Sequence, residues 1–85
     1  MKHATAATLD QLDSLLAELR RLPSLTERSR GVFYRKGRAF LHFHEDPLGL
    51  FADIRGANGR DFERFDVTRS GGREGLLELA RKRAS

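Results

Sequence analysis

Near the start of the chain, apolar residues recur every three or four positions, which is the spacing of one face of an α-helix. The stripe consists of Leu9, Leu12, Leu16 and Leu19. Thr8 and Gln11 have the spacing of a capping box, and Pro23 disfavours helical geometry at the residue before it. We therefore predict a helix over residues 8–22, preceded by a disordered segment over residues 1–7.

From residue 31 the pattern changes to alternation of apolar and polar residues, which favours β-strands. The predicted strands span residues 31–35, 38–45 and 50–55, with 61–67 as a candidate fourth. Lys36-Gly37 and the segment 46–49 are predicted turns, because glycine accepts positive φ and proline suits a β-turn. Strands joined by such short hairpins pair in antiparallel fashion.

A second apolar stripe, formed by Leu76, Leu77 and Ala80, predicts a final helix over residues 73–83. The element order is therefore α-β-β-β-(β)-α. A chain of 85 residues suits one domain. We predict a single α+β domain over residues 1–85, with a three- or four-stranded antiparallel sheet and a helix at each end.

The two turns also predict a register, in which Tyr34 lies opposite Ala39 and His42 lies opposite Asp53. This register gives the sheet one mostly apolar face, which should be the core beneath the helices. That face carries Val32, Tyr34, Ala39, Leu41, Phe43, Leu50, Ala52 and Ile54. The opposite face carries Phe33, Arg35, Arg38, Phe40, His42, His44, Phe51, Asp53 and Arg55.

The second face combines aromatic and basic side chains, a combination used to bind single-stranded nucleic acid. In that hypothesis the rings stack on bases and the guanidinium groups meet phosphates. The aromatic set is Phe33, Phe40 and Phe51, and the basic set is Arg35, Arg38 and Arg55. Two alternatives stay open: the face is the interface of a homodimer, or a helix partly covers its rings.

His42 and His44 lie on the same face of one predicted strand, about 6.5–7 Å apart along the backbone. With Asp53 opposite, they make a set of two histidines and a carboxylate, which binds catalytic zinc and non-haem iron. A divalent metal is therefore the candidate cofactor. The same residues could orient an imidazole as a general base, or pair on the surface without any chemistry.

The formal net charge is +4, from 16 Lys and Arg against 12 Asp and Glu, which favours an acidic partner such as nucleic acid or an acidic protein. Without cysteine there is no disulfide framework and no thiolate metal site. The N-terminus lacks the apolar core of a signal peptide, and no apolar run approaches the length of a membrane span. We expect a cytoplasmic protein without a membrane partner.

The segments 22–28 (LPSLTER) and 33–40 (FYRKGRAF) resemble the early part of the MmcQ/YjbR-like bacterial proteins. The resemblance covers residues 9–55, and it implies a frataxin-like α-β-α arrangement and DNA binding. The segment 40–46 (FLHFHED) is also similar to a stretch found in small bacterial proteins. The leading hypothesis is a non-enzymatic binding module for nucleic acid or another anionic partner. A metal protein or minor enzyme and a homodimeric interaction protein are the alternatives.

Overall fold

The computed structural model describes residues 2–84, which form an α+β domain built on one antiparallel sheet. Its helices are α1 (Ala6–Gln11), α2 (Asp13–Arg20) and α3 (Ser70–Ala84). Its strands are β1 (Lys2–His3), β2 (Leu25–Ser29), β3 (Val32–Arg35), β4 (Arg38–Asp46), β5 (Gly49–Arg55) and β6 (Phe62–Asp66). The strand order is β2-β3-β4-β5-β6, and β1 pairs with the later part of β4. The predicted fold class is confirmed, and β6 settles that the candidate fourth strand joins the sheet.

The first helical region differs from the prediction at its start. The hydroxyl of Thr5, rather than that of Thr8, caps the helix by accepting a hydrogen bond from the Thr8 backbone N–H at 3.4 Å. The helix then breaks at Leu12 into α1 and α2. The four leucines of the stripe are nevertheless all buried on both sides of the break.

Two short strands were missed by the sequence analysis. β1 lies within the segment predicted to be disordered, and its chain continues along β4 through a hydrogen bond from Ala4 N to Phe43 O of 3.1 Å. β2 is an edge strand paired with β3 alone, and its central residues are polar. An edge strand with so little apolar alternation gives a weak sequence signal.

The predicted register holds between β4 and β5, where His42 lies opposite Asp53. Between β3 and β4 it holds only near the turn, where Tyr34 lies opposite Ala39. Beyond that point Phe33 lies opposite Leu41, so that Phe40 is an extra residue without a partner on β3. Such a bulge shifts the pairing by one residue.

The bulge corrects the predicted division of the two faces. Phe33 and Phe40 were placed on the second face, but only 1% and 5% of their surfaces are exposed, and both belong to the hydrophobic core. Val32 and Tyr34, which were predicted to lie in the core, are only half-buried. A one-residue shift in pairing moves side chains to the opposite face, which is the effect seen here.

Both helical regions pack on the same face of the sheet. Leu16 and Leu19 of α2 and Leu76 of α3 are fully buried in one cluster with Leu41 and Ile54 of the sheet. The other face, which we call the open face, is not covered by a helix of the described residues. No helix between residues 2 and 84 combines the length and the apolar character that a membrane crossing requires.

Candidate functional site

The open face carries a continuous row of rings and one guanidinium group. The Cζ atom of Arg55 lies 4.7 Å from the centroid of the Phe62 ring. The Phe62 ring is 5.3 Å from that of His42, which is 4.6 Å from that of His44. The His44 ring is in turn 5.2 Å from that of His3. The row therefore links an arginine at one end of the sheet to three imidazoles at the other.

Beside Arg55, a cavity of about 220 Å³ opens where the β3–β4 hairpin, the β5–β6 loop and the end of α3 meet. We call it the cationic pocket. Its charged lining consists of Arg35, Lys36, Arg38, Arg55 and Arg83. No Asp or Glu of residues 2–84 is among the residues that line it. The three arginines predicted to bind an anion are thus brought together.

Arg55 is held in the pocket by backbone carbonyls. Its Nε and Nη1 atoms donate to Ala39 O at 2.7 Å and to Gly59 O at 2.9 Å. These acceptors fix the orientation of the guanidinium group but carry no formal charge, so its positive charge is not neutralised by them. Arg83 donates to the carbonyl of Arg55 at 3.1 Å and pairs with Glu63 at 3.0 Å, which ties the end of α3 to the pocket.

Arg35 and Arg38 lie directly opposite each other across the β3–β4 hairpin. The turn that joins them, Lys36-Gly37, has positive φ at both residues (53° and 78°), as a type I′ hairpin turn requires. Like charges opposite one another in a sheet are unfavourable. An anion bound between these two side chains would offset their repulsion.

The predicted aromatic set is not displayed as a stacking surface. Phe33 and Phe40 are buried, although Phe40 contributes to a wall of the cationic pocket. Phe51 is half-buried on β5. Phe62, which was not among the candidates, is instead the exposed ring beside Arg55, with 39% of its surface accessible.

At the other end of the row, His3, His42 and His44 form a group that we call the imidazole cluster. One ring nitrogen from each lies within 4.8 Å of the others. Alternation along β4 puts His42 and His44 on one face, and β1 brings His3 opposite His44. Burial lowers the pKa of His42, and the electrostatic interaction with the nearby His44 side chain lowers it further, which favours the neutral imidazole of His42 at pH 7.

Asp53 lies beneath the imidazole cluster and is 7% exposed. Arg64 donates to its two carboxylate oxygens, at 2.8 Å from Nε and 3.0 Å from Nη2. These bonds hold the pKa of Asp53 below its usual range, so the carboxylate stays ionised at neutral pH. The Nε2 atom of His44 lies 2.9 Å from the Oδ2 atom of Asp53, although it lacks the alignment of a hydrogen bond.

The structure therefore brings the two predicted histidines together and adds a third imidazole, that of His3. Asp53, the predicted carboxylate ligand, is instead held by Arg64 and is not part of the imidazole cluster. His3 was missed because it lies in the segment predicted to be disordered, where no pattern indicates a strand. Lys36 and Arg83 were missed in the cationic pocket for different reasons. Lys36 was read only as a turn residue, and Arg83 lies 28 positions after Arg55 in the chain.

Comparisons of the chain with protein-family models, with curated proteins and with solved structures find no match. The resemblance to the MmcQ/YjbR-like proteins therefore stays a prediction. We therefore infer the function from the chemistry of the cationic pocket and of the imidazole cluster.

Proposed function

We propose that this protein is a non-enzymatic binding module that takes a phosphate group of an anionic partner in the cationic pocket. The observation that carries the proposal is the lining of that pocket. Five basic side chains surround it, and no carboxylate of the described residues lines it. A phosphate accepts the paired N–H donors of a guanidinium group better than it accepts a single ammonium.

The size of the pocket limits how large a group it can enclose. Its volume of about 220 Å³ lies below the roughly 300–1,000 Å³ of sites that enclose a whole small molecule. A phosphate group fits a site of this size, whereas an entire nucleotide would extend beyond it. The remainder of the ligand would lie on the surface next to the pocket.

The surface next to the cationic pocket favours nucleic acid as the partner. Phe62 presents an exposed ring beside Arg55, so a base attached to the bound phosphate could stack there. Because Phe33 and Phe40 are buried, the predicted series of stacked phenylalanine rings is not available, and Phe62 is the ring that lies next to the pocket. We expect binding through the phosphate backbone with little sequence preference, in the cytoplasm that the composition predicts.

The test is fluorescence anisotropy of labelled single- and double-stranded DNA and RNA at two salt concentrations. Each phosphate contact contributes about 0.7–0.9 to the slope of log affinity against log salt. We expect three such contacts, from Arg35, Arg38 and Arg55, and therefore a slope of about 2–3. Arg38→Gln should weaken binding and lower that slope by about 0.7–0.9, which is the contribution of one phosphate contact.

Arg69→Gln is the matched control, because it removes the same charge from an exposed residue outside the pocket. It should leave the binding close to that of the unchanged protein. Equal losses from the Arg38 and Arg69 substitutions would show that overall charge, rather than the pocket, attracts the nucleic acid. Binding of pyrophosphate without binding of DNA or RNA would identify a smaller anionic ligand. Binding of none of these probes would overturn the proposal.

A further inference from the structure

We propose that His3, His42 and His44 bind a divalent transition-metal ion of the Zn²⁺ type on the open face. One nitrogen from each ring lies within 4.8 Å of the other two. In a tetrahedral site with Zn–N distances of about 2.0–2.1 Å, ligand nitrogens lie about 3.3 Å apart. The rings must therefore move closer together to hold the ion, and the exposed side chain of His3 has the most room to rotate.

The backbone positions the three rings. His3 lies opposite His44 across the β1–β4 pair, and His42 is two residues from His44 on the same strand. The arrangement is therefore fixed by strand pairing and by the two-residue period of a strand, not by a chance meeting of flexible side chains.

One feature of His42 itself indicates a missing partner. Its Nδ1 atom is buried and accepts or donates no hydrogen bond within residues 2–84. Buried polar atoms in native proteins are normally satisfied, so an unsatisfied one calls for an explanation such as a bound ion or water. A metal ion held by the imidazole cluster supplies that explanation.

The chemistry of the donors selects the class of metal. Imidazole suits Zn²⁺, Co²⁺, Ni²⁺, Cu²⁺ and Fe²⁺, whereas Mg²⁺ and Ca²⁺ require oxygen ligands. Three histidine ligands leave the fourth coordination position of a tetrahedral zinc ion for a water molecule. Because His3 is exposed, the ion would be accessible to solvent on that side.

Asp53 acts in this proposal as a positioning residue for His44. A carboxylate next to a ligating histidine orients the ring and makes it a better ligand. Asp53 lies 2.9 Å from the Nε2 atom of His44 and is itself held by Arg64, so a rotation of the His44 ring when the metal binds would align its N–H with the carboxylate. The ion pair with Asp53 also offsets the charge of Arg64, which would otherwise repel a cation at this site.

The test is a titration of the intact protein with Zn²⁺, followed by NMR of the imidazole protons. The chain contains only three histidines, all in the imidazole cluster, so each signal has a known origin. We expect all three signals to change together and to saturate at one equivalent. Co²⁺ should give the visible absorption of a four-coordinate ion, and Mg²⁺ should change nothing.

His3→Gln is the decisive variant. The His3 side chain is exposed and β1 is only two residues long, so the fold should persist when this side chain is changed. It should weaken Zn²⁺ binding by at least about tenfold, in the range found even for residues that only support ligands. His42→Gln should do the same, and melting curves of the metal-free variants check their folding. Glu74→Gln, which removes an exposed carboxylate on α3, is the control and should bind Zn²⁺ unchanged.

Unaltered Zn²⁺ affinity in His3→Gln would overturn the three-histidine site, as would the absence of any change in the histidine signals. Arg38→Gln separates this inference from the proposed function. That substitution in the cationic pocket should leave Zn²⁺ binding intact even where it abolishes nucleic-acid binding.

Discussion

His3 lies directly opposite His44 across the β1–β4 pair, and the centroids of the two rings are 5.2 Å apart. This pairing gives the open face its third imidazole. It also makes the first residues of the described chain part of the proposed metal site, although their sequence carries no strand signal. Removal of residues 1–4 should therefore abolish Zn²⁺ binding while leaving the cationic pocket, which is built from other elements, able to bind anions.

The separation of the two sites can be tested by that truncation. Zn²⁺ affinity from calorimetry and DNA affinity from anisotropy should respond independently, the first lost and the second retained. Loss of both would mean that β1 supports the whole sheet rather than the imidazole cluster alone.

The junction between β6 and α3 depends on a glycine. A Cβ atom added at Gly72 would overlap the backbone oxygen of Asp66, so the backbone itself would have to shift to accommodate it. Gly72→Ala should therefore lower the melting temperature. Gly75→Ala, in the same helix with no heavy atom within 4 Å of the added Cβ, should raise the free energy of unfolding by about 0.5–1 kcal/mol through its better helix propensity. Opposite signs in thermal melts are the expected result, and equal effects would contradict the close approach at Gly72.

The ion pair that joins α2 to β2 makes stability depend on pH. Arg20 donates two hydrogen bonds to Glu27, which lower the pKa of that carboxyl, and the Gly31 N–H donates a third at 2.9 Å. The stabilisation is fully present above the unfolded-state pKa of glutamate, about 4.3, and is lost as the pH falls through the lower folded-state value. Arg20 is more than a third exposed, so solvent limits the pair to about 1 kcal/mol or less.

Urea denaturation of the unchanged protein and of Glu27→Gln checks this dependence. The variant should be the less stable of the two at pH 7, and the difference should shrink below pH 4. A difference that stays constant down to pH 3 would show that Glu27 contributes by packing and not by its charge.

The leucine stripe of the first helical region should dominate the stability of the core. Leu16 is fully buried, and Leu16→Ala should cost about 2–5 kcal/mol of unfolding free energy. Leu48, which is 86% exposed in the β4–β5 turn, provides the matched control. Leu48→Ala should change the unfolding free energy by less than about 0.5 kcal/mol. Similar losses for both substitutions, measured by chemical denaturation, would contradict the placement of the core.

The sequence pattern predicts those parts of the fold that are determined by neighbouring residues, such as a turn between two strands. The register of His42 with Asp53 follows from the turn between β4 and β5, and it is confirmed. The bulge at Phe40 leaves no mark in the alternation, because an aromatic residue suits either face of a strand. The position of the bulge is decided only by tertiary packing, when the helices cover the sheet and both Phe33 and Phe40 become part of the core.

The candidate sites were predictable to a similar degree. The arginines near the hairpin meet because the hairpin itself brings Arg35 and Arg38 together. Arg83 and His3 reach their sites only through tertiary packing of the two ends of the chain, for which the sequence contains no periodic signal.

NMR amide shifts during titration with pyrophosphate would show directly whether the cationic pocket binds a phosphate group. Shifts confined to the backbone of residues 35–40, 55–59 and 83, and removed by Arg38→Gln but not by Arg69→Gln, are the predicted result. Shifts spread over exposed arginines elsewhere, or none at any residue that lines the pocket, would contradict it.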